Sequence, residues 1–294
     1  MKFYTILTAL LLSAACQSNK PSPHAQLQNQ IDSFIKAKKA YVGLAVIGPQ
    51  PGDTFFYNAD SSFIMMSVVK FPQAVGIMHQ VSNKLLKLDT MVVFDSISLK
   101  RETWSPLRDE HPYGDVSMTL GNCFNYSVAK SDNIVCDRLY DFFSIPELNK
   151  FLHSQHYNKI NIGTTYKNMN TDSLIANNSS PRHMALLLKD FYNGKLCGNE
   201  QKDYLLDIMR KTETGPKRLK GQLPGVTIAH KTGTYFEKDS FIDALNDVGI
   251  VEIPNQPYYI AVFVNRSLEG QENTEAIIAQ LNKMVYDYFK QQSK

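Results

Sequence analysis

In 294 residues the chain has one tryptophan, four cysteines and no run of basic residues. Each scarcity excludes something. A formal net charge of +3, with Lys and Arg dispersed, leaves no electrostatic footprint for a nucleic-acid partner. The one long apolar run, residues 3–12, is too short to cross a bilayer, which takes about 20 residues. Beyond Cys16 the cysteines are Cys123, Cys136 and Cys197. An odd number builds no complete disulfide framework, so all three are expected to be buried small hydrophobes. His153 and His156 have no clustered Cys, Asp or further His beside them and are read as polar residues of a loop or helix end. Neither a metal nor an organic cofactor is expected. Internal repeats and low-complexity segments are absent, and no glutamate occurs between Glu147 and Glu200.

What is present begins with a leader. "MKFYTILTALLLSAAC" joins a basic Lys2, the apolar run and small residues, the pattern of an export signal over residues 1–15. Cys16, directly after "SAA", resembles the lipidation site of a bacterial lipoprotein; the alternative is ordinary signal cleavage with Cys16 incidental. Residues 16–25 then read as a polar tether. The expected location is the periplasm or cell envelope, with membrane attachment only through the lipid at Cys16.

The remaining chain, 43% hydrophobic over all, is long enough for a substantial core. Leu27, Ile31, Phe34 and Ile35 recur at helical spacing within residues 26–40. "YVGLAVIG" and "TFFYNA" read as a hairpin across "PQPGD". Residues 67–215 are dominated by helical patterns, among them "SPRHMALLLKDFYNG", with Pro181 near its start and Gly194 just past its end. Strands return in "VTIAHKTGT", "NDVGIVEI" and "YYIAVFVN", and a helix carrying Ile277, Ile278, Leu281, Met284, Val285 and Tyr288 closes the chain. The fold class is α+β in two lobes. Residues 26–66 and 216–294 supply one antiparallel sheet with flanking helices, and residues 67–215 an all-helical lobe, with a cleft between them.

Three short motifs bear on that cleft. Ser67 and Lys70 stand one helical turn apart in "SVVKF"; Ser131-Asp132-Asn133 and Lys231-Thr232-Gly233 follow in order. A lone S-x-x-K carries little weight, because Ser127 and Lys130 form a second one. The ordered set, with "SVAKSDNIVCD", "TGPKRLKG", "AHKTGT", "NDVGI" and "NTEAIIAQ" around it, resembles the extended-spectrum branch of the class A serine β-lactamases, within the wider penicillin-binding superfamily. The resemblance runs from about residue 26 to 289. It implies a two-lobed fold, an acyl-Ser67 intermediate and β-lactam substrates.

On that reading Lys70, if desolvated, acts as base toward Ser67, and Pro72 requires the helix to begin close to Ser67. Ser131 relays a proton to the leaving nitrogen, Asn133 donates to the substrate side-chain amide, and Asp132 braces its loop. Lys231, with the hydroxyls of Thr232 and Thr234, receives a substrate carboxylate, and Gly233 lets substrate lie against the strand. The N–H groups of Ser67 and Thr234 are implied to form an oxyanion hole. Trp104 is read either as a cleft wall or as core packing.

One element departs from the pattern. Class A enzymes use a glutamate to activate the deacylating water; in "TTYKNMN" that position falls on Tyr166, with Asn170, a water-holding type, four residues on. Asp172 lies too far along to replace it in an unaltered loop. A phenol has a pKa of ~10 and is a poor base near neutrality unless cations such as Lys70 or Lys167 lower it. Tyr166 is therefore either half of a tyrosine–lysine base or a side chain that fills the space. The expectation is a monomeric serine β-lactamase, a hydrolase of β-lactam catabolism and antibiotic resistance, with slow deacylation. The alternatives are a low-turnover penicillin-binding or peptidase-like acyl enzyme, and a non-catalytic lipoprotein that binds peptidoglycan fragments or β-lactams.

Overall fold

A computed structural model describes residues 21–236 and 242–292. Residues 1–15, where an export signal is expected, and Cys16 lie outside the described residues. The first helix, Pro23–Lys36, starts a few residues before the apolar periodicity does. Ser22 caps it, accepting from Ala25 N, and Pro23 occupies a first-turn position where a missing N–H costs nothing.

Among the described residues the strands are β1 (Tyr41–Ile47), β2 (Thr54–Tyr57), β3 (Phe63–Ile64), β4 (Met91–Phe94), β5 (Val116–Thr119), β6 (Ile160–Asn161), β7 (Asn178–Ser179), β8 (Ile228–Tyr235), β9 (Ile242–Val251) and β10 (Tyr258–Ser267). The main sheet has the order β2-β1-β10-β9-β8 and is antiparallel throughout. Its central pairing joins the chain ends, Val42 opposite Val264 and Ala45 opposite Ala261, as the two separated groups of strand patterns require.

Successive side chains of a strand face opposite ways, and here both faces are covered. Val42, Leu44 and Val46, with Ile260, Val262 and Val264, pack against Leu27, Ile31 and Ile35 and against Ile277, Leu281 and Val285 of the C-terminal helix Gly270–Gln292. Ala45, Ile47, Ala261 and Phe263 face the other way, into a core shared with the helical lobe through Phe71, Met184 and Leu188. Each fully buried Leu, Val or Phe contributes about 1.5–3 kcal/mol, so the sheet binds the two lobes together.

The segment expected to be all-helical is helical at its centre but carries the small sheet β4–β5 and the strands β6 and β7, and β7 also pairs with β3 of the preceding segment. These strands are two to four residues long, below the length at which alternation can be read from sequence. The helix Pro181–Tyr192 stops as anticipated, with Gly194 at φ +71° just beyond it. Cys123, Cys136 and Cys197 are free and buried. His153 and His156 are both exposed, at and just after the end of the helix Ile145–Ser154.

Candidate active site

Ser67 lies in a single 3-10 turn, Met66–Val69, that runs directly into the helix Lys70–Ser82. Pro72 thus falls in the first α-helical turn, where proline is tolerated. Met66 has φ +48° and Ser131 φ +61°, left-handed values costly for side chains with a Cβ. Asn246, on β9, holds the first of these turns from beneath, its Nδ2 donating to the carbonyls of Ile64 (2.8 Å) and Met65 (3.1 Å). β8 presses against the same turn: a Cβ on Gly233 would lie 2.3 Å from Met65 O and 3.2 Å from Ser67 N. Only glycine permits that approach, which carries the strand up to the Ser67 amide.

The three motifs meet here. Lys70 Nζ is wholly buried and donates to Ser67 Oγ (3.0 Å), Ser131 O (2.7 Å), Ser131 Oγ (3.3 Å) and Asn133 Oδ1 (2.6 Å). Burial pushes its ammonium down to about 8. Lys231 Nζ donates to Ser131 Oγ at 2.9 Å and to Thr232 O at 3.0 Å. Its pKa is driven well below the usual lysine value by burial and then by the like charge of Lys70. Asn133 spans the gap to the opposite wall, its Nδ2 donating to Thr103 Oγ1 at 2.8 Å. Asp132 is the expected brace: it accepts from Ser105 Oγ (2.7 Å) and Leu107 N (2.8 Å) and caps the helix Asn133–Leu139 through Val135 N.

The second S-x-x-K does not belong to the cleft. Ser127 sits in a π-helical turn with its Oγ buried and unpartnered, and Lys130 pairs with Glu110 at 2.6 Å.

A cavity of about 690 Å³ opens over Ser67, lined among others by Trp104, Ser131, Asn133, Tyr166, Asn170 and Thr234. Trp104 is 61% exposed, so it is a wall of the cleft and not core packing; its indole N–H donates to Lys130 O at 3.1 Å. Thr232 Oγ1 is 2.5 Å from Thr214 Oγ1, and Thr234 Oγ1 accepts from Arg218 Nη2 at 2.7 Å.

Arg218 is a residue that the motifs alone did not single out. It is 4% exposed, pairs with Glu275 at 3.3 Å and donates to the carbonyls of Gly233 and Asn246. It therefore places a guanidinium directly behind the strand that would receive an anionic substrate group. The only signal for it in the sequence is the surrounding segment "TGPKRLKG".

Tyr166 comes to the nucleophile directly. Its hydroxyl is 3.0 Å from Ser67 Oγ, and Lys70 Nζ stands 4.5 Å above its ring. Asp137 anchors this loop, accepting from Tyr166 N at 2.8 Å and Lys167 N at 2.7 Å while pairing with Arg101 at 2.5 Å. The phenol is pushed well above its ordinary range, first by burial and then by Cys136. Burial therefore works against the tyrosine–lysine base, because it favours the neutral phenol. Asn170 uses its side-chain oxygen to cap the 3-10 turn Thr171–Ala176, accepting from Ser173 N at 2.9 Å. That oxygen is committed to the cap.

A serine bonded to a buried lysine, a second hydroxyl held between two lysines, and a glycine strand against the serine amide define a serine acyl-transfer site. The whole-chain comparisons agree. Residues 26–289 match the β-lactamase enzyme family. The chain is 37% identical over 276 residues to the β-lactamase VEB-1 of Pseudomonas aeruginosa, covering 90% of this chain and 92% of that one. The crystal structure of the TLA-3 extended-spectrum β-lactamase superposes with a TM-score of 0.87 at 33% identity, covering 90% of this chain and 99% of that one. A class A β-lactamase from Bacteroides cellulosilyticus superposes at 0.86 with 37% identity, covering 92% and 99%. The chain belongs to the class A serine β-lactamase family.

Proposed function

We propose that this protein opens the β-lactam ring through an acyl-Ser67 intermediate and that release of the acyl group is its slow step. The observation that carries the reading is Lys70 Nζ at 3.0 Å from Ser67 Oγ with burial driving its pKa to about 8. A useful fraction of neutral amine then exists near neutral pH to take the serine proton. Ser131 Oγ, in reach of Lys70 and Lys231, passes a proton to the ring nitrogen as the C–N bond breaks. Thr232, Thr234 and Arg218 favour an anionic group at the strand edge, and Asn133 and Gly233 favour an amide side chain lying along it. Slow release follows from Tyr166: a neutral phenol on Ser67 Oγ replaces the carboxylate that would activate water.

The proposal includes export and lipid attachment at Cys16, supported by the leader "MKFYTILTALLLSAAC". The decisive test is intact-mass analysis after mixing with benzylpenicillin. Wild type gains one adduct, Ser67→Ala gains none, and Ser127→Ala labels as wild type does. Labelling that survives in Ser67→Ala and disappears in Ser127→Ala overturns the assignment.

A further inference from the structure

Two wholly buried residues beside the motifs, His230 of "AHKTGT" and Asp247 of "NDVGI", take no part in the acylation chemistry. His230 precedes Lys231 on β8, and its Nδ1 lies 2.9 and 3.0 Å from the two carboxylate oxygens of Asp247 on β9. They are diagonal neighbours in the ladder, where His230 stands opposite Gly249 and Asp247 opposite Thr232. The imidazole has room because Gly249 lacks a side chain: a Cβ there would be 2.9 Å from His230 Cβ and 2.8 Å from Ala229 O. His230 Nε2 is buried with no partner among the described residues. The ring proton therefore belongs on Nδ1, where the carboxylate accepts it.

A further bond of the carboxylate links the pair to the cleft. Asp247 Oδ2 accepts from Leu219 N at 3.1 Å, and Asn282 of the C-terminal helix donates to Leu219 O at 2.8 Å. Leu219 is thus held through both its N–H and its carbonyl. Its neighbour Arg218 is the residue whose guanidinium reaches Thr234 Oγ1 (2.7 Å) and the carbonyls of Gly233 (3.3 Å) and Asn246 (3.1 Å).

Asp247 also acts as a charge. Burial works against the charged forms of Arg218, Lys220 and Lys231, and in all three the Asp247 carboxylate works the other way. Lys231 is opposed further by Lys70 and Arg218. Without a counter-charge, cations this dry would shed a proton from Lys231, and a neutral amine offers a substrate carboxylate no charge. Asp247 repels that carboxylate as well, but from behind the strand, whereas Lys231 and the β8 hydroxyls meet it in contact.

We propose that Asp247, oriented by His230, is the positioning residue of the carboxylate subsite: it supplies the counter-charge for the cations around β8, fixes Arg218 behind Thr234, and so sets a preference for β-lactams that carry a free carboxylate. This rests on the acyl-Ser67 reading and deepens it. Neither residue is on the cavity wall, so both act on the substrate only through Lys231, Arg218 and Thr234.

The test measures the second-order rate of Ser67 labelling by benzylpenicillin and by its methyl ester, read by intact mass. The two compounds differ only at the carboxylate, and wild type should prefer the acid. Asp247→Asn keeps an acceptor for Leu219 N and removes the charge. Its acid-to-ester ratio should fall by about tenfold, the gap between a charge-assisted and a neutral hydrogen bond, while labelling by the ester changes far less. His230→Asn keeps a donor near the Nδ1 position and should hold the ratio; His230→Leu removes the donor and should lower it. If Asp247→Asn does not fold, the two His230 variants carry the comparison. A pair that only stabilises the fold would slow acid and ester by the same factor, and an unchanged ratio in Asp247→Asn and His230→Leu overturns the inference. A wild type that labels equally fast with both compounds overturns it too, with Ser67 acylation intact. Absence of any adduct from either compound removes the acyl-Ser67 reading and this inference with it.

Discussion

Tyr166 and Lys70 share one small volume, and their protonation states follow from the same cause. Burial disfavours charge on each, so the lysine loses its proton more easily and the phenol holds its own more tightly. Acylation by a penicillin should therefore rise with pH and level off above about pH 8, where the Lys70 amine is neutral. A flat profile from pH 6 to 9 would remove Lys70 as the base. The same shift has a stability sign. The folded pKa, about 8, lies below the ordinary 10.5, so the unfolded chain binds more protons between those values and stability from this group rises with pH across that window. Below it the group costs the fold roughly 3 kcal/mol. Urea midpoints measured from pH 8 to 10 should show that slope in wild type and a shallower one in Lys70→Met, where the depressed Lys231 still contributes. Tyr166→Glu supplies the missing carboxylate and is expected to accelerate penicilloyl release, with an upper bound of about 10²–10⁴-fold, equivalent to roughly 3–5 kcal/mol of barrier. The gain should fall short of that bound, because a loop shaped around a phenol leaves a shorter side chain loosely placed. Burst kinetics with a chromogenic cephalosporin measure it, and an unchanged slow phase would show that water cannot reach that face even when a base is present.

Among the elements, β8 decides more than its eight residues suggest. It is an edge strand of the main sheet, paired on one side with β9, Lys231 opposite Val248 and Gly233 opposite Asn246. Its other side meets the Ser67 turn, with Lys231 buried below and the Thr232 and Thr234 hydroxyls on the cavity wall. Gly233→Ala would drive a methyl group against the Met65 carbonyl, and backbone cannot yield as a side-chain tip can. The expected cost is about 1–3 kcal/mol of stability and at least a tenfold slower acylation, since the strand must withdraw from the Ser67 amide. Urea denaturation and the rate of penicillin labelling check the two parts separately. Full labelling speed in a destabilised Gly233→Ala would show that the close approach serves packing alone.

At the scale of the whole molecule, the site exists because a sheet made from both chain ends clamps a helical lobe between them. Ser67 and Lys70 come from the helical lobe, Lys231 and Gly233 from the sheet, and Ser131 from a loop touching both. Unfolding either lobe should therefore abolish acylation at once. The described residues include no helix long and apolar enough to cross a membrane. When the full chain is expressed in a bacterium, the mature protein is expected to begin at Cys16 and sediment with membranes, while Cys16→Ala is soluble or unprocessed. N-terminal mass analysis of the purified protein decides this; a mature chain that starts beyond Cys16 ends the lipoprotein proposal.

The main sheet, the flanking helices and the three motifs were legible in sequence because each is written in local terms. Alternation in "YYIAVFV" assigns alternate residues to two cores, and proline and glycine bracket the helix Pro181–Tyr192. The missing glutamate was legible as well, since an absence needs no coordinates. What sequence could not supply was distance and solvation. Whether Tyr166 is a base or a filler turns on whether desolvation outweighs a neighbouring lysine, and that depends on the walls that fold around both. The work of Arg218 behind Thr234, the exposure of Trp104 and the commitment of the Asn170 oxygen to a helix cap likewise arise from contacts between segments far apart in the chain or from a turn too short to carry a pattern. The sequence by itself determined which chemical groups this protein has; only the tertiary structure decided which are dry, which are charged and which of them touch Ser67, because burial and proximity are properties of the packed chain.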